Sequence, residues 1–497
     1  MAIPTKKEFL ERVKTGRIPP LYEEIPFFTP YIIYESVASK NSFLLESVKG
    51  PEKIARYSFI GFDPCLVFKV KNGAVENSLS PNGPVQSRKP LREIKDIMKS
   101  YQQAPFDHLP PFQGGLAGML SYDFVRYFES LPSKAADDLN LPDAHFLMTD
   151  RLIAFDHLCG KAWLIVCPGL RDSLHGKDTA ERINWPEKYD EAIEKIQDTR
   201  YRIRDVKFKT DELLFVNHAS HRASSIHYEM KQKDYMDIVK RAKEYIAAGD
   251  IFQANLSQRV SFHISNKSPW NLYGILRSVN PSPFAAFLDF GDYQIVSSSP
   301  ERLIRTRAGI IDTRPIAGTR PRGRDATEDE FMRTELLLNE KERAEHIMLI
   351  DLERNDLGRV SEYGSVRVDE LMITEDCSHV IHIVSNVTGN LAYGKDCFDA
   401  IRAAFPGGTI TGVPKVRCME IIDELEPVKR GPYTGSVGYI AFSGNMDLNI
   451  VIRTFVIRND MAYVQAGAGI VADSDPEKEY FETLKKAQAL IKTLEMV

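Results

Sequence analysis

Pairs of glutamates recur at helical spacing in two separate parts of the chain. Glu342 and Glu345 lie three residues apart in the stretch EKERAEH, and Glu479 and Glu482 repeat this spacing near the last residues. Residues three apart share one face of a helix, so each pair would present two carboxylates together. Such oxygen ligands suit Mg²⁺, which usually keeps waters for its substrate. Two solvated helix faces would explain the same spacing, so the spacing alone leaves both interpretations open.

Two further side chains stand out because their surroundings are apolar. His382 lies in the run VIHIVS, where a lone histidine is more often a satisfied core residue than a catalytic one. Arg453 lies in IVIRT, which predicts a strand rich in β-branched residues. An arginine there is costly to bury unless an anion pairs with it. Tyr433 precedes it in the strand-like stretch GPYTGSVGYIAF.

A glycine-rich loop followed by a helix is predicted between Arg402 and Glu424. Gly407 and Gly408 would let the backbone approach a ligand closely, and Pro414 suits the first turn of a helix. Free N–H groups at such a helix start favour an anion, although a turn without a ligand is an equal alternative. The loop lacks the Lys and Ser/Thr of a nucleotide-binding P-loop. A second glycine stretch, GAGIVA, has no room for the βαβ unit that a dinucleotide fold needs.

Composition narrows the class of protein. The chain has 497 residues and a formal charge of −5, which gives no basic surface for nucleic acid. Six scattered cysteines show neither metal-binding spacing nor a disulfide pattern, as expected in a reducing cytosol. The first residues lack the apolar core of a signal peptide, and no apolar run reaches the length of a membrane span. We therefore expect a cytoplasmic protein that contacts neither membrane nor nucleic acid.

Hydrophobic periodicity predicts the elements that must position these residues. Helices are expected at Lys6–Thr15, at Pro186–Tyr201, around Tyr235–Ile246, from Glu340 onward and after the pair Asp475-Pro476. Strands are expected at Ile32–Leu45, as two strands around a polar turn, and as a hairpin over Phe284–Ser298. The composition changes after residue 170, with a SHRASS turn at Ser220–Ser225. We predict a β-rich region over 1–170, a linker or helical segment over 171–228 and a catalytic region over 229–497.

Seven motifs together resemble component I of the chorismate-utilising enzymes, the family of anthranilate synthase and aminodeoxychorismate synthase. The motifs are GDIFQANLSQR, NPSPF, SSPER, TRPIAGTRPRG, EKERAEHIMLIDLERNDLGRV, FPGGTITGVPK and AGAGIVADSDP. The resemblance covers nearly the whole chain and is densest from Gly249 to Ala489. It implies an α/β (α+β) fold with two large, mostly antiparallel sheets packed on each other and helices outside. The active site would lie in the cleft between the sheets.

The resemblance also implies which residues bind metal and substrate. Glu345 and Glu482, supported by Glu342 and Glu479, would hold Mg²⁺ against the C1 carboxylate of chorismate. The remaining binding residues would be Gly469 and Lys486 at that same carboxylate, Tyr433 and Arg453 at the enolpyruvyl carboxylate, and Gly318, Thr319 and Gly408 around the ring.

Three residues are implied in the chemistry itself. Thr409 would face the ring, and His382 would lie beside the bond that changes. Glu301 would be the general acid for the C4 hydroxyl that departs. An acid and Mg²⁺ together make a poor leaving group leave, after which ammonia adds to the ring.

The family divides by product, and local sequence favours 4-amino-4-deoxychorismate over anthranilate. Gly408 is expected to leave space beside the ring, Ile410 and Thr411 replace residues usual in the anthranilate branch, and Asn255 places an amide on the pocket wall. Anthranilate synthase component I is the alternative. Ala317 stands where many aminodeoxychorismate synthases carry a lysine that forms a ring adduct. Without that lysine, either ammonia or water attacks directly or the product is anthranilate.

Two other functions are compatible with parts of the same pattern. Isochorismate and salicylate synthases share the core, but they keep a lysine base that is missing here. A non-catalytic regulatory homologue is disfavoured, since every acid of the motifs and His382 are present.

The resemblance finally implies an effector site and a partner. Leu45, Glu46 and Ser47 resemble part of the tryptophan-binding element of anthranilate synthases, with Asn280 and Pro281 in its companion stretch. That stretch usually continues with Pro-Tyr-Met, whereas this chain has Pro283-Phe-Ala. The resemblance alone therefore does not predict inhibition by tryptophan. The sequence has no cysteine in a nucleophile elbow. We therefore expect a separate glutamine amidotransferase to supply ammonia.

Overall fold

The chain folds into two large antiparallel β-sheets with helices on their outer faces, as the resemblance implied. The structure is a computed structural model that describes residues 2–80, 83–175, 183–204, 226–264, 267–376 and 380–496. Within these ranges each sheet has twelve strands, and neighbouring strands pair antiparallel.

The first sheet contains, in spatial order, β1 (Leu21–Ile25), β10 (Lys161–Val166), β9 (Arg151–Asp156), β3 (Tyr57–Gly61), β2 (Ser42–Glu46), β13 (Phe284–Asp289), β14 (Gln294–Ser299), β23 (Thr454–Arg458), β24 (Met461–Ile470), β12 (Gln253–His263) and β11 (His227–Tyr228), with β20 (Gly412–Val413) also paired to β12.

The second sheet contains, in spatial order, β17 (Ile316–Pro321), β19 (Val380–Asn390), β16 (Ile310–Arg314), β15 (Arg302–Arg307), β22 (Met446–Asn449), β21 (Ser436–Ala441), β7 (Gly115–Leu120), β8 (Ala144–Thr149), β4 (Leu66–Lys71), β5 (Ala74–Asn77) and β6 (Val85–Gln86), with β18 (Arg367–Asp376) also paired to β19.

The described helices are α1 (Lys6–Val13), α2 (Pro30–Val37), α3 (Pro90–Met98), α4 (Leu170–Ser173), α5 (Trp185–Arg202), α6 (Gln232–Ala247), α7 (Pro269–Val279), α8 (Ala326–Leu338), α9 (Glu340–Gly358), α10 (Cys397–Ala404), α11 (Lys415–Leu425) and α12 (Pro476–Glu495), with 3-10 turns at Tyr122–Tyr127 and Gly408–Ile410.

Aromatic and aliphatic side chains from both sheets form the core between them. Phe59 of β3 contacts Tyr439 of β21 with ring centroids 5.2 Å apart, and Phe112 stacks against the same tyrosine at 4.8 Å. Both sheets include strands from before and after residues 171–228. The division into regions 1–170, 171–228 and 229–497 stays a prediction. Each sheet contains strands from the first and the last of these regions. The SHRASS turn at Ser220–Ser225 lies outside the described residues.

The predicted helices are found close to their predicted bounds, but the prediction of two strands over Ile32–Leu45 is partly wrong. Residues expected to form a strand from Ile32 belong to α2, which Pro30 opens, and only Ser42–Glu46 forms a strand. Ile33, Tyr34 and Val37 of α2 are buried on one face of the helix. A short helix with one apolar face and a short strand are difficult to distinguish from such a run of sequence.

Two of the connections between the sheets lie next to each other: β14 of the first sheet leads to β15 of the second, and β22 leads back to β23. Glu301 lies at the first crossing and Arg453 at the second. The crossings are bonded together, since Ser299 Oγ donates to the Ile450 carbonyl at 2.6 Å and Ile450 N donates to the Glu301 carbonyl at 3.0 Å. This arrangement brings two sequence-distant charged residues to one place between the sheets.

Gly438 offers a test of how closely the strands of the second sheet pack. A Cβ added there would overlap the carbonyl oxygen of Asp447 on β22, and Gly438 has no positive φ that would add backbone strain. We expect Gly438→Ala to lower the free energy of unfolding by about 2 kcal/mol, within the range of overpacking effects. Chemical unfolding would measure this change.

Gly358 provides the matched control, because it ends α9 and an added Cβ there meets nothing within 4 Å. Gly358→Ala should leave stability unchanged or raise it slightly. Equal unfolding free energies for the two variants would contradict the packing described for β21 and β22.

Candidate active site

Glu301 is the buried acid at the centre of the site. It is 5% exposed, and its Oε1 has no hydrogen-bond partner among the described residues. Burial raises the pKa of the Glu301 carboxyl to about 7, against the opposing effects of nearby Thr409, the backbone of Ile316, Arg453 and Lys486. A carboxyl with this pKa carries a proton in a large share of molecules at neutral pH, as a general acid requires.

His382 is a neutral imidazole in the same region. Its Nδ1 lies 3.0 Å from Thr319 Oγ1 and 3.3 Å from the Gly318 carbonyl oxygen, which favours a proton on Nδ1. Its Nε2 is buried without a hydrogen-bond partner among the residues described. Burial, with help from the positive charge of Arg453, lowers the pKa of His382 to about 4. Nε2 is therefore an available but weak proton acceptor.

The loop of Gly407 to Gly412 places Thr409 beside these groups and forms a 3-10 turn at Gly408–Ile410. Thr409 Oγ1 is buried and has no hydrogen-bond partner within the described part of the chain. The space expected at Gly408 is not open, because a Cβ there would overlap Leu352 and approach Glu353 Oε1 at 3.4 Å. That expectation was wrong because α9 packs directly under the loop.

Arg453 is not inside a strand, contrary to the sequence prediction. It precedes β23 at φ +50° and is half-buried, in the segment that crosses between the sheets. Its positive charge affects the pKa of both Glu301 and His382, so Arg453 lies close to these two catalytic candidates. Ile450 and Val451 are buried at the crossing, which gives this run the apolar composition of a strand.

Tyr433 and Asn255 meet at the opposite wall of the site. A Cβ on Gly467 would lie 2.5 Å from Asn255 Oδ1 and 2.9 Å from the Tyr433 hydroxyl, so both side chains depend on that glycine. Burial raises the pKa of Tyr433, which remains a neutral phenol. Asn255 Oδ1 is a buried acceptor with no partner in the described ranges. The wall thus offers one donor and one unused acceptor to a ligand.

The four glutamates proposed as metal ligands lie on α9 and α12, where the spacing predicted them. Asn339 caps α9 by accepting from Glu342 N at 3.0 Å, and Asp475 caps α12 ahead of Pro476. Burial and, to a lesser degree, the charge of Glu482 raise the pKa of Glu345. Burial likewise raises the pKa of Glu479, with Glu482 again contributing. The carboxylates of the two helices are therefore close enough to repel one another.

These carboxylates accept hydrogen bonds from the chain's own donors. Gln253 Nε2 donates to Glu345 Oε1 at 2.8 Å, and Lys486 Nζ lies 2.8 Å from Glu482 Oε1. Arg320 Nη1 donates to Glu342 Oε1 at 2.6 Å. Among the described residues no group of three or more Asp, Glu, His or Cys side chains is arranged to hold a metal ion. The donor types and their mutual repulsion nevertheless fit a hard divalent cation.

Two predicted glycines make room for these acids. A Cβ on Gly318, which has φ +62°, would overlap Glu342 Oε2, and a Cβ on Gly469 would overlap the Gln253 amide that reaches Glu345. Lys486 Nζ also donates to the Gly467 carbonyl at 3.0 Å. Gly318, Gly469 and Lys486 thus lie next to these carboxylates.

The predicted effector residues divide into two groups. Leu45, Glu46 and Ser47 line a separate cavity of about 70 Å³, together with residues such as Phe284 and Tyr439. Glu46 is fully engaged there, since Arg277 Nη2 donates to it at 2.7 Å and the Tyr273 hydroxyl at 2.6 Å.

Asn280 and Pro281 do not line this cavity. The Asn280 amide instead donates to Ser298 Oγ at 3.1 Å. The residues that follow Asn280 and Pro281 nevertheless contact the first group, since Ser47 Oγ donates to the Pro283 carbonyl at 3.1 Å.

Sequence reasoning missed Gln253, Arg320 and Glu353 as neighbours of the site. Gln253 lies two residues from Asn255 on β12, so strand alternation could have found it. Glu353 is 4% exposed, and burial together with Asp356 raises its pKa to about 8. Nothing in the sequence distinguishes its environment from that of other acids on α9.

Comparisons with known proteins show the family of this chain. A sequence family described as chorismate binding enzyme matches residues 40–492. The chain is 44% identical to anthranilate synthase component 1 of Acetivibrio thermocellus, covering 100% of this chain and 99% of that one. It is 42% identical to aminodeoxychorismate synthase component 1 of Bacillus subtilis, covering 96% and 97%. These matches confirm the family that the motifs predicted.

A solved structure gives the same fold. Anthranilate synthase component I from Streptococcus pneumoniae superimposes with a TM-score of 0.75 at 36% identity, covering 88% of this chain and 92% of the other. No helix among the described residues is long and apolar enough to cross a membrane.

The raised pKa of Glu301 predicts a pH-dependent stability difference. Since its folded-state pKa of about 7 exceeds the ordinary 4.5, the folded chain keeps a proton that the unfolded chain releases. Raising the pH from 4.5 to 7.5 should therefore remove roughly 3 kcal/mol of stability through this group alone. Glu301→Gln has no carboxyl to ionise at this position. Between pH 4.5 and 7.5 its unfolding free energy should therefore rise by roughly 3 kcal/mol relative to that of the unmodified chain.

Urea unfolding at both pH values would measure the double difference. Glu477→Gln, at an exposed residue of α12, is the control and should show no such change. A constant difference between Glu301→Gln and the unmodified chain across this pH range would contradict the assignment.

Proposed function

Because this chain belongs to the chorismate binding enzyme family, we propose that it converts chorismate and ammonia to 4-amino-4-deoxychorismate, for 4-aminobenzoate and folate biosynthesis. The observation that carries the proposal is the pairing of a protonated buried acid with a weak base. Glu301 has a pKa of about 7 and His382 a pKa of about 4, and each has an unused buried polar atom.

The residues support a balanced substitution. The C4–O bond breaks while Glu301 gives its proton to the departing hydroxyl, which leaves as water. A bond forms between C4 and the ammonia nitrogen, and the resulting ammonium returns one proton to the Glu301 carboxylate, either directly or by way of His382 Nε2. Arg453 and Tyr433 would bind the enolpyruvyl carboxylate, since one is cationic and the other a neutral donor. The acid returns to its starting state after each turnover.

Formation of anthranilate would demand more of the site. It requires removal of a ring proton and expulsion of pyruvate, two steps that formation of 4-amino-4-deoxychorismate does not need. Asn255 adds an unused buried acceptor to the pocket wall, where the anthranilate branch tends to carry an apolar residue, and this difference supports the first product. Gly408 does not provide free space beside the ring, because the Leu352 side chain fills it.

Anthranilate synthase component I is the second candidate. The relatives at 44% and 43% identity, from Acetivibrio thermocellus and Aquifex aeolicus, are anthranilate synthase components, against 42% for the aminodeoxychorismate synthase component of Bacillus subtilis. These identities are too similar to separate the products, so an assay of the product must do so.

We expect incubation with chorismate, Mg²⁺ and ammonium to yield a product that a lyase converts to 4-aminobenzoate. One half of each reaction would be analysed for 4-aminobenzoate after lyase treatment, and the other for anthranilate fluorescence. Glu301→Gln should reduce turnover at least a hundredfold, because it cannot donate the proton. Strong anthranilate fluorescence without any lyase-dependent product would refute this proposal and identify the chain as an anthranilate synthase component.

We propose Mg²⁺ as the cofactor, held by Glu345 and Glu482 with support from Glu342 and Glu479. When bound, it would neutralise the C1 carboxylate of chorismate and favour departure of the hydroxyl. Arg320, Gln253 and Lys486 would then release the oxygens that they contact.

Glu345→Gln and Glu482→Gln should each weaken Mg²⁺ binding at least tenfold by removing an anionic oxygen. Calorimetric titration with Mg²⁺ would measure the affinity without relying on turnover. Glu477→Gln, exposed on the same helix as Glu482, should bind as the unmodified chain does. Unchanged affinity in both variants would show that these acids are not the ligands.

We further propose that a separate glutamine amidotransferase supplies the ammonia, as the component naming of the relatives suggests for those proteins. The purified chain should therefore turn over with ammonium and show no turnover with glutamine. Glutamine-dependent turnover by the chain alone would refute this partner.

A further inference from the structure

Arg430 is a buried arginine behind the site that uses all five of its N–H donors. It is 3% exposed. Nε and Nη2 donate to the two carboxylate oxygens of Glu426 at 2.9 and 2.6 Å. Nη1 donates to the Ile410 carbonyl at 2.9 Å and to Thr434 Oγ1 at 3.3 Å, and Nη2 also donates to the Asn255 carbonyl at 2.6 Å. No donor remains for a substrate.

Each acceptor other than Glu426 lies beside a residue that faces the proposed substrate. Ile410 follows Thr409 in the loop, and Asn255 itself contributes the unused amide oxygen on the wall. Thr434 follows Tyr433, whose ring centroid lies 5.6 Å from the guanidinium. One planar group thus joins three segments that are far apart in sequence.

Glu426 fixes the orientation of that planar group. Its Oε1 also accepts from Ser257 N and Ser257 Oγ, both at 2.8 Å, which ties the pair to β12. Both side chains are buried, so the bonds are shielded from water and each charge compensates the other. A lysine at 430 could keep the charge, but its single ammonium cannot reproduce the planar set of five donors.

We propose that Arg430, oriented by Glu426, is a positioning residue that sets the substrate-binding geometry of Thr409, Asn255 and Tyr433. This inference rests on the proposed function, because it assumes that these three residues face chorismate. It predicts that loosening Arg430 alters the binding of chorismate more than the binding of Mg²⁺, whose proposed ligands lie on α9 and α12.

The test compares Arg430→Lys with the unmodified chain by following chorismate consumption with ammonium, whichever product forms. We expect the KM for chorismate to rise at least tenfold, while the Mg²⁺ concentration for half-maximal rate changes less than twofold. Glu426→Gln is the second variant and should raise the KM for chorismate about threefold or more. Arg259→Lys is the control, since Arg259 is also buried and ion-paired, to Asp138 and Glu229, and should keep the KM within twofold.

The outcomes separate the two proposals. If the unmodified chain consumes no chorismate, the proposed function fails. If it is active and Arg430→Lys lowers only kcat, in proportion to a smaller folded fraction, Arg430 stabilises the fold and the positioning role is overturned. If neither Arg430→Lys nor Glu426→Gln folds while Arg259→Lys does, the pair is a determinant of folding, which also overturns the proposal.

Discussion

Two hydrogen bonds beside Ile450 hold together two of the places where the chain crosses between the sheets, from β14 to β15 and from β22 to β23. Ser299 Oγ donates to the Ile450 carbonyl, and Ile450 N donates to the Glu301 carbonyl. Strand ends at a crossing leave backbone groups without ladder partners, and buried groups of this kind must bond elsewhere. By bonding to each other, the crossings place the buried Glu301 and the half-buried Arg453 between the sheets.

Burial at this place determines the electrostatics of the candidate site. Removing a carboxyl from water disfavours its charged form, which raises the pKa of Glu301, and the same effect lowers the pKa of His382. Arg453 and Lys486 oppose the first shift without cancelling it. An acid that holds its proton and a base that does not can therefore coexist near neutral pH.

The sequence was sufficient for the family, the two-sheet fold and the helices that carry the glutamates. Spacing on α9 and α12 is a local property, so Glu342, Glu345, Glu479 and Glu482 could be found from periodicity. Other features depend on contacts between distant segments. Leu352 fills the space at Gly408 because α9 packs under the loop. Arg453 lies outside the strand, at positive φ, because the chain changes sheets at this point.

Infrared difference spectroscopy across a pH titration tests most directly whether Glu301 is the protonated acid of the site. The account predicts a protonated-carboxyl band that is lost near pH 7 and is missing in Glu301→Gln. Glu353 would give a second band, lost near pH 8 and retained in that variant. If Glu301→Gln leaves every band between pH 5 and 9 unchanged, Glu301 does not titrate in this range, which contradicts a pKa of about 7.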